Sequence, residues 1–122
     1  MRYVLGFLLL FGTACALAAD LACQVPTPTS PVLAQAERLV QQLPETANWS
    51  RSHAFPVAYI GSFQPVSRLG QCFLAVAVYA NRPERYESWN LFYVNVESKT
   101  ILVAEPASGD VVTLKAWRNT KR

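Results

Sequence analysis

The chain is short of the residues from which most catalytic centres are built. It has one histidine, one methionine and five scattered glycines. Scattered glycines exclude a phosphate-cradling loop, which needs them bunched between a strand and a helix. One histidine and three dispersed cysteines do not supply the three or four converging ligands of a zinc site. Charged residues make up 16% of the chain and the formal net charge is +3, so no basic stripe exists to neutralise phosphates and nucleic acid is not an expected partner. The longest apolar run, Tyr3 to Phe11, falls short of the roughly 20 residues that span a bilayer.

That run follows Met1-Arg2 and leads into the small residues Thr13 to Ala19, the pattern of a secretory signal peptide. Cleavage is expected after Ala18 or Ala19. The chain then divides into a signal peptide (1–19), an extended lead-in rich in Pro, Thr and Ser (20–31), one α+β domain (32–118) and a short basic tail (119–122). Neither Cys15 nor Cys23 has a leucine three positions ahead of it, so lipid anchoring is not expected. A periplasmic or secreted protein without a membrane span is. Cys15 leaves with the leader, and Cys23 and Cys72 remain as an even pair in an exported chain, which predicts a disulfide. A closed loop of about 50 residues is worth roughly 4 kcal/mol in the chain-entropy account, a useful addition to a domain of only about 100 residues.

Ser30 and Pro31 suit the start of a helix. Val32, Ala36, Leu39, Val40 and Leu43 then share one face, and Pro44 is read as the end. Glu45 to Ser52 is polar and reads as a loop; its Asn48-Trp49-Ser50 sequon matters only in a eukaryotic host. Beyond it the period changes to two. Ala54 to Phe63 reads as an edge or bulged strand because of Pro56 and Gly61, and Gly70 to Tyr79, apolar on both faces, as the central strand. Trp89 to Val96 alternates with Trp89, Leu91 and Tyr93 on one side and Phe92, Val94 and Val96 on the other. Ile101 to Glu105 and Val111 to Lys115 follow after short turns, which imply antiparallel neighbours. The expected fold is α+β: one N-terminal amphipathic helix packed on a four- to five-stranded antiparallel meander sheet. In outline this resembles cystatin-like and PepSY-like modules, but the cystatin Gln-Val-x-Val-Gly loop is absent and a shared layout implies no function.

His53 as a general base needs a framed nucleophile; Ser50, Ser52 and a distant Asp110 are available, but no Gly-x-Ser-x-Gly elbow surrounds either serine. Glu84, Glu87, Glu97, Glu105 and Asp110 offer carboxylates for glycoside hydrolysis, yet each sits in or beside a predicted turn. The basic positions Lys115, Arg118, Lys121 and Arg122 read as a solvated terminus, and Trp117 as a cover for the end of the core.

One segment combines residue types enriched at binding hot spots. It runs from Tyr79 to Trp89 and reads as a long loop between the two best strands, carrying Arg82, Arg85, Tyr86 and Trp89. The expectation is therefore a non-enzymatic protein without a cofactor or metal that binds another envelope protein through these residues or a sheet edge, such as an inhibitor or immunity protein against a hydrolase. The alternative is a carrier of a small apolar ligand held between helix and sheet.

Overall fold

The structure is a computed structural model that describes residues 22–120. The leader, its cleavage positions, Cys15 and the last two residues of the basic tail lie outside them. The described chain is α+β, with three helices and a six-stranded antiparallel sheet.

Helix α1 spans Val32–Gln41, with Ser30 Oγ accepting from the Val32 N–H at 3.3 Å. Glu45 to Ser52 is not a loop: a second helix, α2, spans Pro44–Ser52. Pro44 opens that helix rather than closing the first, because a missing N–H costs nothing in a first turn. Strand β1 (Val57–Gly61) lies within the expected edge strand, β2 (Val66–Arg68) is a short strand beyond it, and both pair with β3 (Gln71–Asn81). The meander continues through β4 (Tyr86–Asn95), β5 (Thr100–Ala104) and β6 (Val111–Thr113). The last strand stops short of Lys115, and α3 (Leu114–Thr120) takes over. The β2–β3 turn places Leu69 and Gly70 both at positive φ, as a two-residue type I′ hairpin requires.

Even positions of β3 face the helices. Leu74, Val76 and Val78 meet Ala36 and Val40 of α1, Phe92 and Val94 of β4, Ile101 and Val103 of β5 and Trp117 of α3 in one buried cluster. Gly61 lies under α1, where a Cβ would overlap the Leu33 side chain. Burial on this side also pushes the Tyr59 phenol above its ordinary value. On the other face Phe73 and Leu102 are buried, while Ala75, Ala77, Tyr79, Leu91 and Tyr93 remain half-buried. Side chains of the buried cluster fill the middle of the space between α1 and the sheet.

The Cys23–Cys72 disulfide is present, with Cα atoms 5.7 Å apart. It fastens the lead-in to the start of the central strand. Such a bond is compatible with an oxidising compartment.

Thr46 on α2 is wholly buried and its Oγ1 has no hydrogen-bond partner. Valine would keep the shape and remove the orphaned polar atom, so Thr46→Val is expected to stabilise the fold by about 1 kcal/mol. The measurement is the urea midpoint at constant m value. A midpoint that falls would mean that the hydroxyl is satisfied in solution.

Candidate functional site

The segment read as a long loop is a tight hairpin. β3 runs on to Asn81 and β4 starts at Tyr86, and the Arg82 N–H donates to the Arg85 carbonyl at 3.0 Å. The turn-forming Asn-Arg-Pro-Glu sequence concealed the strand on either side of it.

Of the four residues expected to meet a partner, two are partly buried and engaged by neighbours within the fold. Arg82 gives its Nε–H to Glu87 Oε2 at 3.1 Å, and its guanidinium lies 5.1 Å from the centre of the Phe55 ring. That contact is a cation–π pair closing the base of the hairpin. Trp89 is packed among aromatics. Val78 stands opposite Asn90 and Tyr79 opposite Ser88, so Trp89 is the extra residue of a β-bulge. The bulge interrupts the alternation that would put Trp89 across the sheet from Phe92, and the two rings lie 5.8 Å apart. Trp89 also stacks on Trp49 of α2, 4.9 Å away at 8°, and meets Trp117 edge-on at 6.1 Å.

The other two turn outwards. Arg85 is exposed and makes no ion pair among the described residues. Tyr86 is 57% exposed, with its ring 5.6 Å from that of Tyr79 on the neighbouring strand. The hairpin therefore presents an Arg–Tyr pair on a rigid base, at the end of a sheet face that also carries half-exposed Ile60.

His53 follows the last turn of α2. Its Nδ1 lies 2.8 Å from the Trp49 carbonyl, an acceptor, so Nδ1 carries the proton in that bond. Ser52 Oγ donates to the same carbonyl at 2.8 Å. Both groups are engaged by the end of the helix, and the ring lies 4.2 Å from that of Trp49. No carboxylate joins His53 among the described residues. Asp110 sits in the β5–β6 turn, where its N–H donates to Ser108 Oγ at 3.2 Å and its carbonyl accepts from the Glu105 N–H at 2.9 Å. Among the described residues no group of three or more His, Cys, Asp or Glu side chains is placed to hold a metal.

The basic end of the chain divides in the same way. Arg118 on α3 is not free but forms a forked pair with Glu45 of α2, which raises its pKa through the hydrogen bond. Lys121 and Arg122 lie outside the described residues.

Among the described residues two open clefts stand out. One, of about 640 Å³, lies at the disulfide end, between the lead-in at Val25, the start of α1 at Val32 and the strand ends at Leu74 and Val96. The other, of about 320 Å³, runs between Ser88–Leu91 of β4 and the turn after β5 at Glu105 and Pro106. Sequence periodicity cannot show either, since both arise where one strand outlasts its neighbour or a segment crosses the end of the sheet.

No family model, curated protein or solved structure matches the chain.

Proposed function

We propose that this chain is an exported, non-enzymatic protein-binding module of the cell envelope that acts as an inhibitor or immunity protein against a hydrolase met in the same compartment. The observation that carries it is the outward pair Arg85 and Tyr86, the tyrosine more than half exposed yet seated against Tyr79. An aromatic and an arginine on a fixed hairpin lose little entropy when a partner covers them, and these residue types dominate binding energy at interfaces. The leader-like N-terminus, with cleavage near Ala18 or Ala19, and the Cys23–Cys72 bond support export.

The test is affinity capture from envelope extract with the oxidised protein, followed by titration of the captured partner. Arg85→Ala with Tyr86→Ala is expected to weaken that partner by about 100-fold, the equivalent of two modest hot spots. Unchanged affinity would remove the hairpin as the anchor. Arg82 and Trp89 are left in place because both hold the fold.

A second function, carriage of a small apolar ligand, is favoured by the cleft of about 640 Å³ at the disulfide end, a volume within the usual range for ligand sites. Native mass spectrometry of the protein as isolated is expected to show a bound molecule if this function holds. A bare mass would count against it.

A further inference from the structure

Strand β4 is longer than the partner on its outer side. Its pairing with β5 begins opposite Ala104 at Leu91 and continues to Asn95, whereas its pairing with β3 reaches back to Tyr86. Tyr86 to Asn90 thus has a strand on one flank only among the described residues. β5 leaves the line at Glu105 and Pro106, and the gap that opens there is the cleft of about 320 Å³.

The direction of the backbone groups along this stretch follows from the opposite edge of β3. Asn81 donates its N–H to the Pro56 carbonyl and Ala75 accepts from the Ser62 N–H, so odd positions of β3 face β1 and even positions face β4. Glu87 stands opposite Ala80 and therefore turns its backbone groups to β3. Tyr86 and Ser88 turn theirs the other way, away from β3, with Ser88 lining the gap, and both residues are exposed. Sheet edges are usually blunted by lysine, proline or a covering segment. Tyr-Glu-Ser-Trp-Asn contains neither lysine nor proline.

The rim supplies a charge. Glu105 lines the gap, and its carboxylate accepts only from Ser108 Oγ at 3.3 Å, with no cation in salt-bridge range among the described residues. Glu87, by contrast, is already neutralised by Arg82.

We propose that an extended segment of a partner protein adds as a strand beside Tyr86–Asn90, in the line that β5 vacates at Pro106, with a lysine or arginine of that segment meeting Glu105. Main-chain hydrogen bonds to Tyr86 and Ser88 supply the pairing, as in other cases of strand addition. Apolar side chains at alternate positions lie along Tyr86 and Leu91. This rests on the protein-binding function above and specifies how the partner is held.

The probe is a phage-displayed library of random linear peptides, panned on the oxidised full-length protein. Enriched peptides are expected to carry alternating apolar residues and a basic one. Ser88→Pro deletes the outward N–H without touching the β3 ladder and is expected to weaken these peptides about 100-fold, while Ser88→Ala, which keeps the N–H, binds as well as the parent. Glu105→Gln is expected to cost about tenfold. Should Ser88→Pro fail to fold, hydrogen exchange on the parent protein decides the matter: the Tyr86 and Ser88 amides become protected when peptide binds.

Peptides indifferent to Ser88→Pro, amides left unprotected, or no enriched peptide at all would overturn the proposal. So would a dimer of the chain that Ser88→Pro dissolves, since the edge would then belong to a second copy. A captured protein that binds Ser88→Pro normally would sink strand addition while leaving the protein-binding function intact. Absence of both a captured protein and any peptide would sink the two together.

Discussion

Replacing Cys23 and Cys72 by serine is expected to lower the stability of the domain by about 4 kcal/mol. Their bond closes a loop across 49 positions, and the entropy returned to the unfolded chain when such a loop is opened has that magnitude. For a domain of this size the melting temperature would fall by roughly 15 to 30 °C. The native contacts around the bond are modest, since the described part of the lead-in carries no helix or strand before α1 and Val25 is half exposed. The stabilisation therefore belongs mainly to the unfolded state, and calorimetry of the double serine variant measures it directly. A loss below about 1 kcal/mol would mean that the lead-in is already confined without the bond.

Trp117→Ala is expected to cost about 3 to 5 kcal/mol, the range for removing a large buried aromatic. Trp117 is 3% exposed and stands edge-on to Phe92 at 5.8 Å and to Trp89 at 6.1 Å. These ring contacts fasten α3 over the end of the helix-side core. The neighbouring Arg118–Glu45 pair joins α3 to α2, but the arginine side chain is 44% exposed. Ion pairs so open to solvent are worth less than about 1 kcal/mol. Urea unfolding of Trp117→Ala beside Arg118→Gln separates the two contributions, and equal losses would overturn the assignment of α3's anchorage to the indole.

The parts of this fold that were legible in the sequence are those with a strong period or a simple pairing rule. Val32 to Val40 has a wide apolar face and is a helix. Cys72 to Ala80 is apolar on both sides and is the central strand, and the even cysteine pair is joined. Helix α2 was hidden because Pro-Glu-Thr-Ala-Asn-Trp-Ser-Arg-Ser has almost no apolar stripe; its burial rests on Thr46 and Trp49, too few to establish a period. Helix α3 was hidden because Val111-Val112 continues the preceding alternation, which carries the expected strand on to Lys115, and the change of period at Leu114 has only Trp117 to reveal it. The candidate site was half legible. Arg85 and Tyr86 could be picked out by type, but the bulge that turns Trp89 inwards, and the unequal lengths of β4 and β5, are properties of register. A single strand does not encode its register; the neighbour supplies it.

The aromatic cluster has an optical consequence. The chain's three tryptophans gather at one place, with two indole planes 4.9 Å apart at 8° and the third edge-on. All indole emission therefore leaves from one spot, where α2, α3 and the bulge of β4 meet. Stacked chromophores at that spacing exchange excitation, so the ultraviolet circular dichroism and fluorescence of this protein are gauges of whether α2 lies on the sheet. The disulfide end of β3 is roughly 20 Å along the strand and is dark to indole fluorescence. A lead-in that came loose would go unseen, whereas a strand arriving beside Ser88 would register in light without any label.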